Sequence, residues 1–458
     1  MITQIKEKQA VQSIKAVPHI QELPFIGSFP AYSKDRLALF QRVVRECGDV
    51  GLFHFGPFPL IIFNAPEFVQ GIFVEHAYDF DKGPVLHNAF EPLIGHGLFI
   101  SEGMLHRQQR KLMAPSFQPR QITEYADAMV KYGEQLQQTW RAGQIIDVGR
   151  EMTHVTMSIV GKVLFDAEVF TEADELGAAM TTILEHANYS VSRFFPIPLN
   201  WPTPRSRHTR QAVAYLRGRI QQMIDERRAS FEEKHDFLSI LLRARGEDGS
   251  AMPDQQVMDE SVTLFGAGHE TTATALTWAW YLLARNPDVY ERMRQEVDTV
   301  LQGRRPVYAD LAHLPYTLQV FKETLRLYPP AYAISRVALH DVDLDGYHVH
   351  KGETVAVSPY TMHRRPDFFP DPEKFDPERF TPENEKRLPR YAYFPFGAGP
   401  RVCIGNYFSM MEGHLLLATL AQHVTFELMP NQRVVPDSNK TITMRPKYSI
   451  DMLVQRRD

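Results

Sequence analysis

With 458 residues and 44% hydrophobic side chains the chain can bury a sizeable core, and its formal net charge of −5 excludes the basic balance that nucleic-acid binding requires. Its two cysteines, Cys47 and Cys403, exclude a disulfide framework and fit a reducing compartment. No apolar run has the roughly 18 to 20 residues of a membrane helix, and Met1 to Val17 has no signal-peptide layout, so the sequence reads as a soluble cytoplasmic protein without a transmembrane anchor.

In chain order, Leu23 to Gly27 is turn-rich, and Asp35 to Glu46 has helical spacing that ends at Gly48, with Cys47 a bystander at the helix end. Val50 to Phe55 and Leu60 to Phe63 read as two strands of a hairpin around Gly56-Pro57-Phe58-Pro59. Pro84 to Ile100, carrying Phe90, Leu93 and Phe99, reads as a loop-like apolar segment. Gly103 to Met113 is a helix with His106 and Arg110 on one face, which alone could be a solvated basic face with Arg107 and Lys111. Helical patterns follow over Ile122 to Arg141, Val155 to Phe165 and Glu172 into Phe194. A proline-rich break from Phe195 to Pro204 precedes a helix from Arg207 to Phe231, and Arg245 to Ala251 is an exposed loop. Pro253 and Pro287 bracket a helix over Asp254 to Asn286, roughly 50 Å long at ~1.5 Å per residue. Glu323 and Arg326 share a helix face before Pro329 and Pro330, and Asp341 to Val357 alternates around Asp345-Gly346 as a further hairpin.

Two stretches carry chemistry. In Phe396-Gly-Ala-Gly-Pro-Arg-Val-Cys-Ile-Gly405, Cys403 sits in a Gly- and Pro-rich loop before an apolar helical run, Tyr407 to Leu420. A helix N-terminus favours thiolate, the form that binds a metal, and the glycines let backbone close around the sulfur. Within the long helix, Phe265-Gly-Ala-Gly-His-Glu-Thr-Thr272 places two glycines at a cost on the order of 2 kcal/mol against alanine, which close approach of a flat ligand or close helix packing could offset.

Phe396, Gly399, Arg401, Cys403 and Gly405 reproduce the Phe-x-x-Gly-x-Arg-x-Cys-x-Gly signature, so the chain resembles the cytochrome P-450 family of haem-thiolate monooxygenases. Ala267, Gly268, Glu270, Thr271 and Thr272 match that family's oxygen-helix pattern, and Pro377-Glu-Arg-Phe380 its meander. The resemblance implies a mainly α fold with small β-sheets, a tail over 1–22 and one haem domain over 23–458, with haem between the long helix and the Cys loop. It implies Cys403 as the axial iron ligand of haem b. Phe396, Gly399, Gly405, Ala267 and Gly268 would lie along the cofactor, and His106, Arg110, Arg336 and Arg401 would hold its propionates. It further implies Glu270 and Thr271 as the proton-handling pair, and Glu323, Arg326 and Arg379 as a structural charge network.

Phe90, Leu93, Phe99, Phe265, Ile334 and Met444 are candidate pocket residues, and each could equally be core. The activity implied is insertion of one atom of O2 into an apolar substrate, a fatty acid or terpenoid-like compound, by a monomer. Since two cysteines cannot hold a cluster, NAD(P)H-derived electrons would come through a separate ferredoxin or flavodoxin and its reductase. Arg107, Lys111, Lys386, Arg387 and Arg390 could form its dock or be ordinary solvated surface. A peroxygenase, a haem-thiolate isomerase and a gas-binding haem protein are the alternatives.

Overall fold

The computed structural model describes residues 15–230, 234, 236–245 and 249–457. Most of the Met1 to Val17 tail, Phe231 at the expected helix end and residues 246–248 of the expected loop lie outside the described residues. The expected tail boundary at residue 22 is corrected, because Lys15 and Ile20 already donate backbone hydrogen bonds to Gly346 and Leu52.

Helix α1 (Arg36–Cys47) starts where the Asp35 carboxylate accepts from the Ala38 N–H at 3.0 Å and stops at Gly48, whose φ of 81° only glycine adopts freely. It leads into β1 (Val50–Phe55) and β2 (Phe58–Phe63), antiparallel from Val50↔Phe63 to Phe55↔Phe58. A five-stranded sheet continues through β8 (Thr354–Val357), β5 (Ile334–Ala338) and β3 (Phe80–Asp81), with β2 and β8 parallel. Strands β4 (Ile145–Asp147), β9 (Val424–Leu428) and β10 (Asp451–Arg456) make a second sheet, and β6 (Val342–Leu344) with β7 (Tyr347–Val349) a two-stranded one. The Asp345-Gly346 turn has φ of 54° and 83°, as a tight hairpin requires.

The rest is helical. The segment from Pro84 to Ile100, expected as a loop, is helix α2 (Gly83–Ile94) followed by irregular chain. Pro84 occupies the first turn, where its missing N–H costs nothing, and burial of Phe90, Leu93 and Ile94 holds the helix despite Pro92. After α3 (Gly103–Met113) come a short turn of helix at Pro119–Thr123 and α4 (Ala126–Thr139), so the expected continuous helix is broken at Glu124-Tyr125. Helices α5 (Val148–Phe165), α6 (Ala173–Val191) and α7 (Pro204–Ala229) follow, two of them starting earlier than expected because Asp147 and Thr203 cap them.

The 32-residue α8 (Asp254–Arg285) is about 48 Å long at ~1.5 Å per residue and packs against α5, α10 (Pro315–Leu327) and α11 (Asn406–His423). Pro287 opens α9 (Pro287–Leu301) at once. The largest apolar cluster surrounds α8, and a second lies under the five-stranded sheet. Among the described residues, no helix is long and apolar enough to cross a membrane.

Candidate functional site

The loop before α11 is shaped by its own backbone. Phe396 O accepts from Cys403 N–H at 2.9 Å, Gly399 O from Val402 N–H at 3.0 Å, and Gly397 and Gly399 have φ of 75° and 69°. A Cβ at Gly399 would stand 1.8 Å from Phe73 O, so only glycine fits. Gly405 caps α11, and a Cβ there would only touch the Cys403 sulfur at 4.0 Å. The ring of Phe396 is half-buried against the main core.

Cys403 exposes residue surface, yet its sulfur is enclosed enough that burial pushes the thiol up, against the Gly405 N–H and the Arg110 guanidinium. The expected tilt toward thiolate is therefore outweighed by burial in the protein alone. A metal ion's charge at the sulfur would reverse that balance.

On α8, Ala267 is exposed and Thr271 half-buried, while Phe265, His269, Glu270 and Thr272 around them are buried. Ala267 and Thr271, one turn apart, thus form an open stripe in the middle of the helix, and the Thr271 hydroxyl donates to Ala267 O at 3.2 Å. The glycines do other work. A Cβ at Gly268 would lie 2.9 Å from Val160 Cγ2 on α5, and one at Gly266 would lie 2.8 Å from Met180 Cε on α6. Helix packing therefore accounts for the missing side chain at Gly268.

Glu270 is 2% exposed and accepts from the Thr443 hydroxyl at 2.6 Å and from Arg445, which also donates to the Thr181 hydroxyl at 3.2 Å. The carboxylate expected to relay protons is thus held in a buried ion pair with the C-terminal segment. Two residues beyond Glu270, behind Thr272, whose hydroxyl lies 3.1 Å from Ser409 Oγ, stands Glu412 of α11. Burial pushes the Glu412 carboxyl far above the usual range, with the Thr272 hydroxyl opposing, and neither oxygen completes a hydrogen bond. Its only signal in the sequence is one acid in an apolar helix.

His106 and Arg110 of α3, Arg336 of β5 and Arg401 converge, joined by Lys82, which no local pattern marks. Lys82 Nζ donates to Ser101 O at 3.0 Å, and its N–H to Glu102 Oε1 at 2.9 Å. Arg401 pairs with Glu102 through one nitrogen while Nη1 has no partner, and the Arg336 guanidinium lies 5.1 Å over the Phe73 ring. Crowding shows in the titrations. Burial, opposed by Glu102 and reinforced by Arg401 and Arg336, lowers Lys82 to about 7. Burial, Lys82, Arg401 and Arg110 lower His106 to about 4, and burial with Arg401 lowers Arg336 to about 10. Five basic groups thus face the carboxylates of Glu102 and Asp81, so the cluster fits a ligand that brings anionic groups of its own, as haem brings two propionates.

The Glu-x-x-Arg pair lies in the core. Glu323 and Arg326 are 0% exposed, with Arg326 Nε and Nη2 donating to Glu323 at 2.7 and 2.8 Å and Nη1 to the carbonyls of His363 and Pro372, each at 2.8 Å. Asp376 N–H donates to Glu323 Oε1 at 2.9 Å, and Arg379 Nε stands 3.4 Å from it.

Among the candidate pocket residues, Phe90 and Leu93 are buried on α2, Phe90 meets Phe99 edge-on at 5.0 Å, and Phe99 and Ile334 keep exposed surface. Phe265 and Met444 are buried in the core, the alternative left open for each candidate. Phe265 lies six residues from Thr271, about 240° round the helix, and packs on Phe165 at 5.6 Å. Met444 is 0% exposed, and its carbonyl accepts from Trp278 Nε1 at 2.8 Å. Arg107, Lys111, Lys386, Arg387 and Arg390 all expose surface, with Arg107 stacked 4.5 Å over Tyr78.

The family model for cytochrome P450 matches residues 17–454. The chain is 36% identical over 427 residues to cyclooctatin synthase of Streptomyces melanosporofaciens, covering 93% of this chain and 90% of that one. It is 33% identical over 397 residues to pentalenene oxygenase of Streptomyces avermitilis, covering 86% and 88%. It is also 33% identical over 410 residues to cyclooctat-9-en-7-ol 5-monooxygenase of Streptomyces melanosporofaciens, covering 89% and 86%. With a match over nearly its whole length, a cysteine loop built by the family's own residues and a basic cluster suited to haem carboxylates, the chain belongs to the cytochrome P450 family of haem- and O2-dependent monooxygenases.

Proposed function

We propose that this cytochrome P450 hydroxylates or epoxidises an apolar terpenoid, with Cys403 as the iron ligand of haem b in a single haem domain. The observation that carries the cofactor reading is the excess of buried basic groups over carboxylates beside Cys403: Arg110 acts on both the thiol and the cluster. The substrate class rests on relatives named for oxidising pentalenene and cyclooctat-9-en-7-ol, and on the apolar Phe90, Leu93, Phe99 and Ile334 available to hold a hydrocarbon and exclude water.

Haem, when bound, supplies activation of dioxygen and the oxidising power that breaks a C–H bond. The chain supplies position and protons. His106, Arg110, Arg336, Arg401 and Lys82 would neutralise and orient the cofactor's carboxylates. Thr271, on the open stripe of α8, can turn its hydroxyl from Ala267 O toward the reacting oxygen. Glu270 can move a proton only after parting from Arg445, whereas Glu412 is held protonated by burial. Electrons from NAD(P)H would arrive through a ferredoxin or flavodoxin and its reductase in the cytoplasm, docking a monomer at Arg107, Lys111, Lys386, Arg387 and Arg390.

A carbon-monoxide difference spectrum of the reduced protein comes first, with a strongly red-shifted Soret band expected. Turnover of cyclic terpenes with NADPH and surrogate partners follows, with oxygenated products expected. A Soret band of neutral-ligand haem would overturn the Cys403 assignment. Equal yield from peroxide alone would favour a peroxygenase, and no product from any terpene would overturn the substrate class.

A further inference from the structure

We propose that Asp341, His348 and His350 form a binding site for a divalent transition-metal ion of the Zn2+ type on the outer face of the β6–β7 hairpin, separate from the haem site. The register pairs Val342 with Val349 and Asp343 with His348. Because side chains alternate along a strand, Asp341 and Asp343 of one arm share a face with His348 and His350 of the other. Val342, Leu344 and Val349 point the opposite way and are buried in the cluster beneath the large sheet. The polar face is therefore fixed on an anchored platform.

The donor atoms already converge. Asp341 Oδ2 lies 3.4 Å from His348 Nε2 and 4.0 Å from His350 Nδ1, and all three atoms fall within 4.8 Å of one another. Tetrahedral zinc with ligands at ~2.0–2.2 Å holds neighbouring donors roughly 3.3–3.6 Å apart, so the His350 side chain has to close by at most about 1.5 Å. Asp341 is also oriented for the task. Its Oδ1 accepts the Lys351 N–H at 2.8 Å, which leaves Oδ2 turned toward the imidazoles. Asp343 is anchored in the same manner, accepting Gly346 N–H at 2.9 Å. Asp341 and His350 are exposed and His348 is half-buried, so an ion reaches the site directly from solvent, and water would complete its coordination. Two imidazoles and a carboxylate select zinc, copper or nickel over calcium or magnesium, which take oxygen ligands alone.

The test is calorimetric titration of the haem-loaded protein with Zn2+, beside His348→Ala/His350→Ala, Asp341→Asn and, as a control, His340→Ala. The expected result is loss of one equivalent of binding in the double variant, weakening by about tenfold or more in Asp341→Asn, and no change in the control. Unchanged stoichiometry in the double variant, or no binding to the wild-type protein, would overturn the proposal. Anomalous scattering from Zn2+-soaked wild-type crystals gives a readout free of any effect of mutation, with a peak expected between the three side chains; a peak only elsewhere would overturn it.

Discussion

Replacing Glu323 with Gln tests whether the buried charge network holds the haem-side scaffold together. The Glu323 carboxylate receives two N–H groups of Arg326 and that of Asp376, and it faces Arg379 at 3.4 Å. Glutamine keeps the shape but brings one acceptor oxygen, and its amide would point N–H groups at donors. Two guanidinium groups would then share no carboxylate in a place where Glu323 and Arg326 are 0% exposed. Breaking a buried pair from one side costs about 3–5 kcal/mol. For 458 residues the unfolding entropy is roughly 1 kcal/mol/K, at ~2.1 cal/mol/K per residue, so the melting midpoint should fall by about 3–5 °C. Arg326 and Asp376 tie α10 to the meander before the Cys403 loop, so haem content should fall as well. Circular dichroism gives the midpoint, and the ratio of Soret to 280 nm absorbance gives the haem content. A variant with full haem and a midpoint within about 1 °C of wild type would refute the reasoning.

Thr271→Ala should keep haem binding while lowering product per NADPH and raising peroxide, because the open stripe of α8 loses its one hydroxyl; unchanged coupling would count against a proton-handling role. Arg445→Leu leaves Glu270 buried with Thr443 as its remaining partner, for a loss of about 3–5 kcal/mol in denaturant unfolding that a neutral result would contradict. Glu260 of α8, which accepts Leu98 N–H at 2.9 Å, is raised to about 7 by burial, with Leu98 and Gln256 opposing and Asp259 adding to the shift. Its proton is retained in the fold above the pH at which the unfolded chain loses it, so the stability present below about pH 4.5 is lost as pH rises toward 7. That amounts to roughly 3 kcal/mol, and Glu260→Gln should remove this slope from unfolding midpoints measured at pH 5 and pH 7.5. Electron transfer from an acidic donor should slow with added salt and with charge reversal at Arg107, Lys386 and Arg387, as stopped-flow reduction would report; rates indifferent to both would place the dock elsewhere.

What was legible in the sequence was what neighbouring residues determine. Pro253 and Pro287 bound α8 to within a residue, Asp345-Gly346 fixed a hairpin, and the spacing of Phe396 to Gly405 marked the cysteine loop. Local punctuation also misled, since Pro84 and Pro92 suggested a loop where core burial makes α2. Helix phase would have separated Phe265 from Thr271, but Gly268 could not be assigned without knowing that Val160 fills its missing side chain. Partnerships across the chain left no local trace: Glu270 meets Arg445 across 175 positions, and Lys82 joins the basic cluster only through the fold.

The buried charges of this protein divide by how completely they are answered, and that division separates scaffold from site. Arg326 spends its nitrogens on a carboxylate and three carbonyls, so the group is saturated and nothing further can bind to it. The cluster of Lys82, His106, Arg336 and Arg401 is equally crowded, yet Arg401 Nη1 has no partner and the neighbours depress one another's protonation. Desolvated cations without sufficient anions are costly, and an added anion would relieve that cost. Glu412 answers its burial differently, its carboxyl pushed well above the usual range. A saturated pair on α10, an anion-poor cluster beside the Cys403 loop and a carboxyl on α11 driven toward its neutral form are thus three different answers to burial.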